Sequence, residues 1–266
     1  NKNYTSHFNT AVNGDNRDEL LKQLNLSYST DAYDKDGKPT NDVKEGGYDL
    51  IVAAKGSLTH DDYDITLKNA NVTLNKAKLV IDTDSNSKVY GDWQGVKNDV
   101  EGAAHIRNAE TAVVNGDKVD DLIKEMNLKT SSDALQQNTD GTYKTNHVKD
   151  GGYAITTEFS DTIKNYDVSQ GTVGTETLTK TKATVDTDAV TTTYGTVNKN
   201  YTSHFNTAVN GDDPAKLLED LKLTYTTEAY KDDTHTNDVK DGGYTLDVEK
   251  TADLGDYDVT VNGSNV

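Results

Sequence analysis

Two histidines, His7 and His204, occupy identical surroundings, because residues 1–15 (NKNYTSHFNTAVNGD) recur letter for letter at 198–212. A histidine that recurs with its surroundings raises the question of a catalytic triad, which also needs a nucleophile and an orienting acid. Aligned through its Asn-Gly-Asp mark, the middle copy of the region carries Ala109 at that place, and no Ser or Asp recurs at a fixed relation that would build a triad. The histidines are therefore read as surface or packing residues, and no catalytic or cofactor-binding residue is assigned. Asp-Tyr-Asp and the many other carboxylates read as solvated faces. A carboxylate pair for glycoside cleavage would need a cleft that a small module rarely offers.

Metal and ligand chemistry have narrower candidates. Asp82, Asp84 and Asn86 imitate the opening of a calcium loop, but no glycine follows at the sixth position and no glutamate at the twelfth. The copy at Asp186 and Asp188 continues with Val190, so these residues read mainly as charged strand ends, with a weak calcium site at a domain hinge as the metal candidate. Fifteen tyrosines stand against three phenylalanines. Tyrosine suits both half-wet sheet faces and binding surfaces. Tyr48, Tyr63 and their counterparts run in phase with Leu, Ile and Val, which places them in the core or on a sheet face. Tyr4, Tyr33, Tyr201 and Tyr230 are the candidates for stacking a glycan or protein ligand.

Composition excludes several classes. A formal net charge of -18 and a pI near 4.6 oppose binding to nucleic acid or an anionic membrane surface. There is no cysteine, which removes disulfides, thiolate metal sites and cysteine nucleophiles together. No stretch is apolar enough to span a membrane, and Asn1 begins no signal peptide, so a piece cut from a longer protein is expected. Low hydrophobic content hints at disorder, but regular apolar spacing argues for folded domains of low stability.

The elements that must position any site are read from the copies. Asn13, Asn115 and Asn210 lie 102 and 95 residues apart, a spacing suited to independently folding modules. After each mark comes an i, i+1, i+4 apolar stripe: Leu20, Leu21, Leu24; Leu122, Ile123, Met126; Leu217, Leu218, Leu221. This predicts a short amphipathic helix, with Asp15, Asp117 and Asp212 as N-caps and Pro214 in the first turn. Alternation at Leu26, Tyr28, Thr30 and Ala32, and at Leu223, Tyr225, Thr227 and Ala229, predicts a half-buried strand. A turn around Gly37 and Pro39 leads to Gly46-Gly47-Tyr48, repeated as Gly151-Gly152-Tyr153 and Gly242-Gly243-Tyr244, where paired glycines permit positive φ before another strand. Further strands start at Tyr63, Tyr166 and Tyr257. Residues 76–84 and 182–188 read as the first strand of the next module, each followed by Tyr-Gly.

The expected architecture is α+β, mostly β: tandem β-grasp-like modules, each a four- to five-stranded sheet with one short helix. The modules are 1–75 (lacking its first strand), 76–180 and 181–266. An immunoglobulin-like sandwich is the alternative, although it must explain the helix. The ordered motifs Tyr194-Gly195, Val209 to Asp212, Gly242 to Tyr244 and Tyr257 to Thr260 resemble the bacterial surface-protein repeats called MBG domains, of the Tyr-Gly-X type. Trp93 has no match at Val197 in the third copy. The resemblance implies a large secreted or outer-surface adhesin of the filamentous haemagglutinin-like kind. The corresponding expectation is a non-enzymatic, extracellular stalk, a monomeric rod without cofactors. The alternative is repeats that bind a host glycan, a host glycoprotein or another adhesin copy.

Overall fold

The computed structural model describes residues 3–33, 40–55, 59–60 and 62–266. It is mostly β, with several small sheets and five helices among the described residues. No described helix is long and apolar enough to cross a membrane. Contacts divide the chain into two compact units, Asn1–Val80 with Ile106–Leu128 and Phe159–Ser169, and Ile81–His105 with Lys129–Glu158 and Gln170–Val266. The middle sequence repeat contributes to both.

The third repeat lies wholly in the second unit. Its strand Thr181–Thr187 runs between two others, antiparallel to Ser203–Asn206 with Val185 opposite Phe205, and parallel to Tyr257–Asn262 with Ala183 opposite Val259. Strand alternation turns Ala183, Val185 and Thr187 inward, and all three are buried. A second three-stranded sheet joins Leu223–Thr227, Thr245–Lys250 and Ser264–Asn265. The helix Pro214–Leu221 starts at Asp213, whose side chain accepts from Ala215 N–H at 2.9 Å, and has Pro214 in its first turn. It turns Leu217, Leu218 and Leu221 onto a core of Ala183, Val185, Phe205, Tyr257 and Val259.

In the first unit, Leu26–Ser29 pairs with Tyr48–Ala54, which also pairs with Ala70–Val72. The helices Arg17–Leu24 and Val119–Glu125 fall on their predicted stripes and bury Leu20, Leu24 and Leu122. Their caps differ from expectation. Asn16 and Lys118 take the N-cap positions, as Asp213 does in the third repeat, and not Asp15, Asp117 and Asp212. Those three aspartates face a tyrosine hydroxyl instead, a charge-assisted bond that outcompetes a cap one residue away.

The strand at Leu26 ends at Ser29, so Thr30 and Ala32 lie beyond it. Thr30 Oγ1 accepts from Ala32 N–H at 3.2 Å and bends the chain locally, as Thr227 does for Ala229 at 3.2 Å. The predicted turn at Gly37 and Pro39 lies outside the described residues.

A helix at Trp93–Gly102 has no counterpart in the expected plan of one helix per module. Asp92 caps it by accepting from Gly95 N–H at 2.9 Å. Val96 and Val100, four residues apart, bury against Ala134, Tyr153, Ile155 and Leu178. Trp93 marks its start and stacks on Tyr143.

Candidate functional site

Two local devices recur with the sequence copies. The first is a corner. In Val-Asn-Gly-Asp, Asn and Gly both take positive φ (57° and 82°, 62° and 75°, 62° and 82° in chain order), the signature of a type I′ turn. Aspartate N–H donates back to valine C=O at 3.0 to 3.1 Å. The strand tyrosine then grips the corner. The Tyr63, Tyr166 and Tyr257 hydroxyls accept from Val12, Val114 and Val209 N–H at 2.9, 3.1 and 3.0 Å. The same hydroxyls donate to Asp15, Asp117 and Asp212 at 2.6, 2.8 and 2.7 Å.

The second device is a loop, Thr-Asn-x-Val-Lys-x-Gly-Gly-Tyr, starting at Thr40, Thr145 and Thr236. Its asparagine N–H donates to the carbonyl of Ala32, Ala134 or Ala229 at 2.8 to 2.9 Å. Its tyrosine hydroxyl donates to the carbonyl six residues back, at 2.6, 2.7 and 2.8 Å. The lysine ammonium lies 5.0 to 5.4 Å from the same ring. Both glycines have positive φ, as the sequence predicts. A Cβ on the second would stand 2.7 Å from a carbonyl oxygen at Val72, Glu176 or Val266.

The corner of one repeat closes on the loop of the repeat before it. In the second unit, Thr145 N–H donates to Asn210 Oδ1 and Asn210 Nδ2 donates to Thr145 C=O, each at 2.9 Å. Val148 N–H donates to Asp256 Oδ1 at 2.6 Å, and Asp256 also meets His147 Nδ1 at 2.7 Å. In the first unit, Asn115 brackets Thr40 at 3.3 and 3.1 Å, and Val43 N–H donates to Asn165 Oδ1 at 2.8 Å. The two clamps use the same sequence positions.

Tyr90 fills the centre of the second-unit clamp, 2% exposed. Its hydroxyl donates to Asp212 Oδ2 at 3.0 Å, so two tyrosines converge on one carboxylate. Its ring meets Tyr257 edge to face at 5.6 Å and lies parallel to His147 at 6.2 Å. Gly91 N–H donates to Thr145 Oγ1 at 2.9 Å. Burial pushes the Tyr90 hydroxyl up to about 12, with the Asp212 charge adding to it, and raises Tyr257 for the same reason. Tyr166 is pushed up to about 12, again mainly by burial. These phenols stay protonated donors across the physiological range, which suits holding two peptide segments in register.

The loop of the third repeat is an open copy. Gly195 N–H donates to Thr236 Oγ1 at 2.9 Å, as Gly91 does to Thr145. Tyr194, the counterpart of Tyr90, is 64% exposed, and Val239, the counterpart of Val148, is 84% exposed.

The residues singled out in the sequence fall elsewhere. His7 is exposed, and His204 Nε2 meets Asp188 at 3.0 Å on the surface. Asp82 accepts from Thr172 N–H at 2.7 Å, Asp84 lies 3.6 Å from His105, and Asn86 sits in the strand Asn86–Val89 opposite Glu176. Among the described residues, no three His, Asp or Glu side chains gather as a metal site. Tyr4 packs on Tyr28 and Tyr201 on Tyr225, at 5.6 and 5.0 Å between ring centroids. Burial, with Tyr33 alongside, raises the Tyr4 hydroxyl. Tyr230 donates to Asn198 C=O at 2.6 Å. These four tyrosines brace their own repeats.

One buried group stands apart. Glu176 is 0% exposed, with neither carboxylate oxygen hydrogen-bonded, near the Lys88–Asp99 ion pair of 2.9 Å. Burial, then the Asp99 charge, lifts it to about 7. In the sequence Asn115 and Asn210 stand out only as marks of a repeat, and their partners Thr40 and Thr145 do not stand out at all, although the thrice-repeated Thr-Asn-x-Val-Lys carries their signal.

No protein-family model matches the chain, and no curated protein or solved structure is significantly similar to it.

Proposed function

We propose that the chain is a non-enzymatic stretch of tandem β-grasp-like modules, 1–75, 76–180 and 181–266, of the MBG type. In this reading it serves as the stalk of a bacterial surface or secreted adhesin and holds a binding region away from the cell. The observation that carries the reading is the repeated clamp: Asn115 on Thr40 and Asn210 on Thr145 join successive repeats by the same hydrogen bonds. A spacer needs joints that resist bending, and a joint used twice fits selection for reach rather than for one site. The grasp assignment is supported by the parallel pairing of Thr181–Thr187 with Tyr257–Asn262 around a helix, an arrangement foreign to an antiparallel sandwich. A net charge of -18 keeps neighbouring stalks from sticking to one another.

Small-angle scattering tests this. A rod whose maximum dimension shortens when Asn115 and Asn210 are both replaced by glycine fits a stalk. A compact particle, or unchanged scattering from the double variant, counts against it.

A second reading, that the repeats bind a host glycan or glycoprotein, is favoured by the stacked Trp93 and Tyr143 pair, whose indole is 36% exposed. Saturable glycan binding abolished by Trp93→Ala would establish it in place of a plain spacer.

A further inference from the structure

Both asparagines that close a clamp are followed by glycine, in the same local sequence Val-Asn-Gly-Asp. Asparagine is a thermolabile residue, and a following glycine has no Cβ to shield its backbone nitrogen. That nitrogen can attack the asparagine Cγ. A C–N bond forms, the Cγ–Nδ2 bond breaks, and Nδ2 leaves as ammonia with the proton that the glycine nitrogen gives up. Water then opens the succinimide ring at one of its two carbonyls, leaving aspartate or isoaspartate. Water is the one co-reactant, and Gly116 and Gly211 are both exposed to it.

The closed joint restrains this chemistry. Asn210 Nδ2, the leaving group, donates to Thr145 C=O, and Oδ1 accepts from Thr145 N–H, each at 2.9 Å. Positive φ at Asn210 and Gly211 fixes the turn, and Tyr257 grips it through Val209 N–H and Asp212. Ring closure requires the amide to swing away from Thr145 and the asparagine backbone to leave the turn, so it proceeds while the joint is open. Asn115 is held less closely, at 3.3 Å from Thr40 N–H and 3.1 Å from its C=O. Thr40 is half-buried, whereas Thr145 is buried. The reaction also destroys the joint. Aspartate at position 210 turns an acceptor towards Thr145 C=O, in a corner that already holds the Asp212 carboxylate, and isoaspartate adds a methylene to the main chain of a two-residue turn.

We propose that Asn115-Gly116 and Asn210-Gly211 are sites of self-modification gated by the joints they form, so that each joint records, as deamidation, the time it has spent open. A joint that opens and reacts does not close again. Because the two sites share one local sequence, their rates in the unfolded chain are alike, and the looser clamp makes Asn115 convert sooner than Asn210 in the folded one. The inference rests on the joint geometry and does not depend on the chain being a stalk.

The test holds the full chain at mildly alkaline pH, digests it at intervals and scores conversion at each asparagine by mass spectrometry, with the same chain in urea giving the ungated rates. Folding should slow Asn210 roughly tenfold or more and Asn115 by a smaller factor. Asp256→Ala removes the acceptor of Val148 N–H and leaves Asn210-Gly211 intact, so it should speed Asn210 several-fold without moving Asn115. Should that variant fail to fold, urea below the unfolding transition opens the joint of the unaltered chain and should speed Asn210 in the same way. Asn210→Asp, the direct product, should lose amide protection at Thr145 while the strand Thr181–Thr187 keeps its own. The proposal is overturned if Asn210 converts as fast folded as in urea, if Asn210 outpaces Asn115, or if opening the joint leaves the Asn210 rate unchanged. It is equally overturned if Asn210→Asp keeps Thr145 protected.

Discussion

Asn210 brackets Thr145 from both sides of one peptide unit, accepting its N–H and donating to its C=O at 2.9 Å each. Thr145 is buried, so neither group has water in reserve. Asn210→Gly keeps the left-handed turn and removes only the amide. It should cost about 1 to 3 kcal/mol, the usual penalty for orphaned buried polar groups. Asn13→Gly alters an identical corner that closes on no threonine among the described residues, and should stay within about 0.5 kcal/mol. Urea unfolding of the two variants, with amide exchange at Thr145, measures the difference.

Tyr90 gives the second prediction. Its folded hydroxyl is raised to about 12 from an ordinary 10, so the folded state keeps a proton that the unfolded state gives up first. The contribution is fully present below about pH 10 and is lost as pH rises towards 12. Tyr257 acts in the same direction. Melting midpoints should fall steeply over that window, and Tyr90→Phe should flatten the fall while costing about 1.5 to 3 kcal/mol near neutrality, the value of a bond to a charged acceptor.

Glu176 carries the opposite kind of burden. Its folded pKa of about 7 lies above the ordinary 4.5, so between those values unfolding releases a proton and stability declines as pH rises. Glu176→Gln removes the charge and keeps the shape. It should leave the protein unchanged below pH 4.5 and stabilise it at pH 8 by about 1 to 3 kcal/mol, the order of the desolvation penalty of a buried polar group. Chemical denaturation at the two pH values separates the outcomes, and an equal effect at both would refute the account.

The paired glycines should respond unequally to alanine. Gly151 has φ of 77° and open space around it, so Gly151→Ala should cost about 1 to 2 kcal/mol from backbone strain alone. Gly152 has φ of 65°, and a Cβ there would stand 2.7 Å from Glu176 C=O and 2.6 Å from Thr175 Cγ2. Gly152→Ala should therefore cost clearly more, about 3 kcal/mol or above, with backbone displacement. Thermal melts of the two variants decide the order.

Much of this was legible in the sequence because it is local. The leucine stripe fixes a helix face, Asn-Gly fixes a turn, and Tyr166 and Tyr257 bury as their phase with Val168 and Val259 implies. What escaped depends on partners far along the chain. Asp212 looks like an N-cap until Tyr257, 45 residues on, brings a hydroxyl within 2.7 Å. The helix Trp93–Gly102 has no counterpart in the third repeat, and its valines announce a helix only when Ala134, Ile155 and Leu178 give them somewhere to go. The clamp was hidden for a further reason: Thr145 is held chiefly through its main chain, which every residue type possesses.

That last property bears on how such a protein can change over generations. A joint made of one asparagine amide and a neighbour's peptide group asks little of the neighbour's side chains. Val148 meets Asp256 through its N–H just as Val43 meets Asn165. Copies can therefore drift apart in surface and core, be gained or dropped by unequal crossing-over, and still be spliced to whichever copy comes next without a new interface having to evolve.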